Sequence, residues 1–169
     1  YSLLEKDNAL WVVSKTKIKI NDLPLWNDEI TIRTWPMGAE GVRCNRCYQI
    51  MKDNEVLINA ISEWVIIDAS SRTLRKVETT SYPNDIDWIK EKSIEERFRR
   101  FKDDFTVEDL IYKRLVRSGD IDVTHHTNNV TYITMLLDTF SVKDLEAKQW
   151  ADIEVSYLSE SFEGETLSI

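Results

Sequence analysis

Asp120-Ile121-Asp122-Val123-Thr124-His125-His126-Thr127-Asn128-Asn129-Val130-Thr131-Tyr132 puts two aspartates, two histidines and paired asparagines directly ahead of an amphipathic run. The run predicts a helix from about Asn128 to Phe140, with Val130, Ile133, Leu137 and Phe140 as its buried stripe and Met135 and Leu136 beside it. Thr127 or Asn128 suits the cap of that helix. On an extended approach Asp120 and Asp122 share a face, and Asp122 and His126 converge where the chain bends into the helix. Carboxylates, an imidazole and the unpaired first amides of a helix can together activate water, relay a proton and stabilise an oxyanion. That chemistry needs no metal, nucleotide or other cofactor. The plainer alternative is a capped turn, with Asp120, Asp122 and Asn128 closing the helix start and His126 a satisfied polar side chain.

Upstream, the pattern changes period. Residues 11–20 alternate apolar and polar from Val13 onward, as a half-buried strand does. Asn21 to Pro24 supplies a turn, and Glu29 to Trp35 alternates again. Val42 to Met51 and Val56 to Asp68 are two further strands, joined by a hairpin at Lys52-Asp53-Asn54-Glu55. The first 70 residues therefore predict an antiparallel sheet. Glu78 to Asn84 reads as loop, and Asp85 to Lys102 is charged with helical spacing through Ile86, Ile89 and Ile94. Strand character returns at Asp109 to Val116, at Trp150 to Leu158 and at Glu165 to Ile169. Trp26 to Ile32 and Phe162 to Ser168 are faintly alike, each an aromatic, an acidic turn and a strand.

Composition narrows the class. A chain of 169 residues with 42% apolar side chains can bury a substantial core, and four Gly and three Pro leave little room for a disordered linker. The tryptophans are expected to face the sheet core. A net charge of −8 argues against nucleic acid as the partner. No apolar run is long enough to span a bilayer, and no signal peptide opens the chain, so the cytoplasm is the expected compartment, with no membrane partner. Two cysteines do not make a disulfide framework. Cys44 and Cys47 have CxxC spacing but lack a second ligand pair, so they are expected to be structural and metal-free. The chain starts at Tyr1 and stops within a strand-like run, which suggests a piece of a longer protein.

The stretch quoted first resembles the Asp-x-Asp-x-Asn-x-His-Val-Asn-Asn-x-x-Tyr signature of the acyl-ACP thioesterases. The resemblance extends over nearly the whole chain, through Trp11-Val12-Val13, Leu23-Pro24-x-Trp26-x-Asp28-Glu29-Ile30, Thr34-Trp35, Arg46, Trp64 to Asp68 and Tyr157-Leu158-Ser159-Glu160. It implies an α+β fold of tandem hotdog domains, each an antiparallel sheet wrapped around a long helix. The divisions expected are an N-terminal hotdog over 1–80, lacking its first helix and with Leu3 and Leu4 in that helix's tail, a linker over 81–104, and a truncated C-terminal hotdog over 105–169.

By the same resemblance the catalytic aspartate is Asp122, the histidine His126 and the glutamate Glu160. Thr124 stands where the family has an asparagine and Thr127 where it has a valine. Ser161 stands where plant members carry a cysteine, which favours attack by water over a thiol nucleophile. The backbone amides of Thr127, Asn128 and Asn129 are the expected oxyanion donors, each worth roughly 3–4 kcal/mol. The activity implied is hydrolysis of fatty acyl-ACP, with acyl carrier protein as substrate and partner. An acyl-CoA hydrolase or a non-catalytic acyl-ACP-binding module are the alternatives, the latter kept open by Thr124. Arg97, Arg99, Arg100 and Lys102 read as a solvated helix face or, alternatively, as a basic docking surface for an acidic carrier, with Lys113, Arg114 and Arg117 as a second candidate patch. The resemblance places an acyl tunnel in the N-terminal domain, with Trp35, Ile50, Ile58, Ile61 and Trp64 as candidate lining. Tandem hotdogs satisfy their pairing internally and leave a homodimer of the pair open as an assembly.

Overall fold

A computed structural model describes residues 6–83, 86–102, 104–147 and 151–169. The chain forms two compact units, 1–99 with 150–156, and 100–149 with 157–169.

The first unit is built on β1 (Ala9–Ile20), β2 (Thr31–Glu40), β3 (Arg43–Lys52) and β4 (Glu55–Asp68), with a short β5 (Leu74–Arg75) and β7 (Asp152–Ser156) from late in the chain. All pairings are antiparallel, in the order β2-β3-β4-β1-β7, and β5 adds to β4. The four strands expected between residues 11 and 68 are therefore present. The β3–β4 hairpin turns through Asp53 and Asn54, both left-handed at φ 49° and 69°. Two such residues make a type I′ turn, whose twist matches that of the flanking strands. A bulge between Val13 and Lys15 shifts the β1–β4 register, and the Ser14 hydroxyl there donates to the Glu63 carboxylate at 2.8 Å.

Residues 86–99 are not helical, contrary to the spacing of Ile86, Ile89 and Ile94. The segment runs as a strap along the sheet. Trp35 Nε1 donates to the Glu91 carbonyl at 2.9 Å and the Ser93 hydroxyl to the Ala60 carbonyl at 2.6 Å. Ile94 is buried with Trp35, Cys47 and Ile61, and Phe98 packs against that cluster. Trp88 lies over Gly38, where a Cβ would come within 3.1 Å of its ring. Docking on a sheet satisfies the strap's polar groups and its apolar side chains, and it leaves Ile86 and Ile89 about half exposed. Local helical preference is weak enough to be overridden in this way. Asp85, at the start of the expected helix, and Asn84, in the preceding loop, lie outside the described residues.

The strap and β7 are fastened to β1 by a buried ion pair. Lys17 Nζ lies 3.0 Å from Glu154 Oε2, and both side chains are less than a tenth exposed. The ammonium also donates to the Arg97 carbonyl at 2.7 Å, while Glu154 accepts the Arg99 amide. Of the tryptophans, Trp35 is core, as expected, but Trp26 is 93% exposed. It sits in a turn whose next residue, Asn27, has φ 69°. Leu3, Leu4 and Trp150 lie outside the described residues.

The second unit holds β6 (Lys113–Leu115) paired with β8 (Thr166–Ser168), α1 (Asn129–Leu137) and α2 (Val142–Ala147). The strand expected over Asp109–Val116 is shorter, because Thr106 caps a 3-10 turn at Val107–Asp109 and the Asp109 carboxylate accepts the Thr106 amide. Helix α1 buries Met135 completely, whereas Val130, expected in the stripe, is 65% exposed. Tyr112 Oη donates to the Met135 carbonyl at 2.6 Å and anchors that face.

Removing one partner of a buried pair leaves an uncompensated charge. Lys17→Met is expected to lower unfolding free energy by about 3–5 kcal/mol in denaturant titrations followed by tryptophan fluorescence. Pairing it with Glu154→Leu should recover most of that loss.

Candidate active site

Between the 3-10 turn Ser118–Asp120 and α1 the chain doubles back in a small hairpin. Asp122 N–H donates to the His126 carbonyl at 2.9 Å and His125 N–H to the Asp122 carbonyl at 3.1 Å, with Ile121 and Thr127 bridged beyond. Val123 to His125 form the three-residue loop, and His125 occupies its left-handed position at φ 65°. A tight turn of this type ejects His125 to solvent and folds Asp122, Thr124 and His126 together.

The contacts run in sequence. Thr124 donates its amide at 2.8 Å and its hydroxyl at 2.5 Å to Asp122 Oδ1. The same hydroxyl lies 3.1 Å from His126 Nδ1, and His126 Nε2 lies 3.4 Å from Glu160 Oε2. Phe162 packs on the imidazole with ring centroids 5.1 Å apart. Partial burial opposes ionisation of Asp122, but the bonds from the Thr124 hydroxyl and amide and from the His126 backbone outweigh it. The carboxyl is held below its ordinary range and is charged at neutral pH. All four residues expected at the site are thus drawn into one chain, Asp122–Thr124–His126–Glu160.

What brings Glu160 there is a buried clamp one residue further along each strand of chain. Thr127 N–H and its hydroxyl both donate to the Ser161 carbonyl, at 2.8 and 3.0 Å. The Ser161 hydroxyl donates back to Thr127 Oγ1 at 2.7 Å and has Tyr132 Oη at 2.7 Å. Since its one proton points at Thr127, Ser161 accepts from Tyr132. The pairing leaves no local signal in the chain, because 34 positions separate its members.

Three expectations change. Asp120 does not share a face with Asp122. The turn at 118–120 carries it inward, where it is buried against Arg114 at 2.8 Å and accepts the Arg117 amide at 2.9 Å. Of the three amides expected as oxyanion donors, two are engaged elsewhere. Thr127 gives its amide to Ser161 and Asn128 its amide to the Asp120 carbonyl at 2.8 Å, which leaves Asn129, the first residue of α1, as the remaining donor of the three. Asn128 instead caps α1, its side chain accepting the Val130 amide at 2.9 Å. Finally, Trp35 and Ile61, candidate tunnel residues, belong to the packed core.

A cavity of about 270 Å³ does open in the first unit, lined by Trp11, Pro36, Cys44, Asn45, Arg46, Trp64 and Tyr82. Burial pushes the Cys44 thiol and the Tyr82 phenol up, so both are neutral there. Cys44 and Cys47 are buried free thiols. Among the described residues no cluster of His, Cys, Asp or Glu is arranged to hold a metal ion, and no helix is long and apolar enough to cross a membrane.

Residues 1–83 match the acyl-ACP thioesterase N-terminal domain model and residues 105–169 the C-terminal domain model. The chain is 31% identical over 163 residues to a chloroplastic palmitoyl-acyl carrier protein thioesterase of Cuphea hookeriana, covering 92% of this chain and 39% of that protein. It is 29% identical over 164 residues to a chloroplastic acyl-[acyl-carrier-protein] hydrolase of Cuphea viscosissima, with 92% and 38% covered. The chain therefore spans well under half the length of these two relatives. An acyl-ACP thioesterase from Bacteroides thetaiotaomicron superposes with a TM-score of 0.80 at 24% identity, over 99% of this chain and 67% of that one. A putative oleoyl thioesterase from Lactobacillus plantarum gives 0.81 at 24% identity, over 98% and 64%.

Thr127→Val keeps the shape but removes the buried hydroxyl's bonds to the Ser161 carbonyl and hydroxyl, and is expected to cost about 1–3 kcal/mol in chemical denaturation. His125→Gly relieves a left-handed side chain at the expense of backbone entropy, and should change stability by less than about 1 kcal/mol.

Proposed function

The chain belongs to the acyl-ACP thioesterase family, α+β proteins of tandem hotdog domains, and we propose that it hydrolyses fatty acyl-ACP to free fatty acid and carrier thiol, ending acyl-chain elongation. The observation that carries this is the unbroken contact chain from Asp122 through Thr124 and His126 to Glu160, set against the first turn of α1.

In this mechanism water attacks the thioester carbonyl carbon while Glu160, with Asp122 and His126 behind it, positions the water and takes its proton. The oxyanion that forms is met by the Asn129 amide at the positive end of α1. Collapse of the intermediate breaks the C–S bond, and the proton held by the Glu160–His126 pair goes to the departing sulfur. Ser161 is not the nucleophile, since its hydroxyl proton is already engaged with Thr127. A buried neutral thiol such as Cys44 is equally unsuited.

Two other features agree with this role. The first unit's cavity has three aromatic rings, Trp11, Trp64 and Tyr82, in its wall and the size of a small ligand pocket, which suits part of an acyl chain. Arg97, Arg99, Arg100 and Lys102 are all exposed and offer the acidic carrier a basic approach, whereas Arg114 of the second run is engaged with Asp120 and Asp138. We take the domains along the chain to be 1–80 and 105–169, joined by 81–104, which the family-model spans of 1–83 and 105–169 support, although the compact units assign residues up to 99 and β7 to the first. The compartment proposed is the cytoplasm, in keeping with two unpaired thiols. Thr124, the departure that left a non-catalytic binding module open, completes the contact chain and so favours turnover.

Thiol release from medium- and long-chain acyl-ACP is the direct assay, with acyl-CoA alongside to separate the two carriers. Asp122→Ala and Glu160→Ala should each lower kcat/KM by about 100-fold or more. Ser161→Ala should keep most of the activity, since loss of a true nucleophile costs several powers of ten. Wild-type rates in both carboxylate variants would refute the assignment.

A further inference from the structure

The hydrogen-bond geometry at Thr124 allows the protons around His126 to be counted. Asp122 is ionised, so Oδ1 can only accept. Thr124 has a single hydroxyl proton, and at 2.5 Å that proton lies toward Asp122 Oδ1. Its oxygen therefore meets His126 Nδ1, 3.1 Å away, with a lone pair, and a stable contact requires the ring proton on Nδ1. On the other edge Nε2 faces Glu160 Oε2 at 3.4 Å, too close for a water to intervene. The charged and titratable groups around the imidazole are then Glu160 at Nε2 and, through Thr124, Asp122 at Nδ1, with the Phe162 ring against one face.

We propose that Thr124 is a positioning residue that fixes His126 with a proton on Nδ1, so that the ring presents Nε2 to Glu160. The consequence for turnover rests on the thioesterase reading: with Nδ1 already carrying its proton, Nε2 is the ring nitrogen turned to Glu160 and to the proton taken from the attacking water. The statement about the ring itself does not depend on that reading.

The chain has two histidines, so ¹⁵N-histidine labelling gives two ring systems, and His125→Gly assigns them. In the full chain, His126 Nδ1 is expected to be protonated in the wild type and in Thr124→Ser, and to lose that fixed proton in Thr124→Val. A wild-type ring unprotonated at Nδ1, or one unchanged in Thr124→Val, would overturn the proposal. Thr124→Val should also lower kcat by about 100-fold or more with KM nearly unchanged, and Thr124→Ser should restore it. Unaltered kcat in Thr124→Val, in an enzyme that Asp122→Ala inactivates, would likewise overturn it. Absence of any turnover in the wild type would sink the thioesterase reading, and the ring spectra would still decide the proton's place.

Discussion

The doubled bond from Thr127 to the Ser161 carbonyl is the constraint on which the site depends. It ties the turn before α1 to a segment 34 positions away, with both members buried. His126 and Glu160 precede the two clamp residues directly, so registering one pair registers the other. A carboxylate and an imidazole on separate segments meet at 3.4 Å because their neighbours are bolted together. Tyr132, one turn into α1, closes the network through the Ser161 hydroxyl and carries the constraint into the helix. Buried polar groups in such a network are costly to leave unpaired, and this gives the contact its directional character.

Around that fixed point the turn at 122–126 supplies the rest of the geometry. A three-residue loop ending in a left-handed position compresses Asp122 and His126 into one hydrogen-bonded pair of backbones, leaving the Thr124 side chain between their own. The left-handed conformation costs a β-carbon-bearing residue roughly 1–2 kcal/mol, so the surrounding contacts must over-determine it. They do: Thr124, Thr127 and Asn128 each use an amide in holding the turn or its exit closed. The same economy removes Thr127 and Asn128 from the set of oxyanion donors. Amides that build the turn cannot also serve the substrate, and the helix start offers Asn129 instead.

Much of this was legible in the chain and some was not, for physical reasons. Alternation fixed the four long strands, and Asp53-Asn54 announced a hairpin because such residues tolerate the left-handed region. Asn128 was legible as a cap because its side chain competes for backbone amides locally. The strap over residues 86–99 was not, since its stability comes from Trp88, Ile94 and Phe98 docking on a sheet, which its own spacing does not encode. Asp120 lies away from the face an extended approach would give it, because a 3-10 turn intervenes. Asp122, Thr124, His126 and Glu160 stand out in the chain only through resemblance. Their order of contact came only from the distances.

Those distances also explain how a threonine can stand where the family has an asparagine. An amide side chain donates from nitrogen and accepts at oxygen, atoms held apart on a planar group, whereas a hydroxyl does both at one oxygen. A hydroxyl can therefore link carboxylate and imidazole only if the two approach the same atom. Here they do, at 2.5 and 3.1 Å. The shorter side chain is matched by the tight turn, which brings Asp122 and His126 close enough for one oxygen to span them. The substitution at 124 and the left-handed residue at 125 thus belong to a single solution: residue 125 sets how closely the turn closes, and residue 124 is the side chain that fits within it.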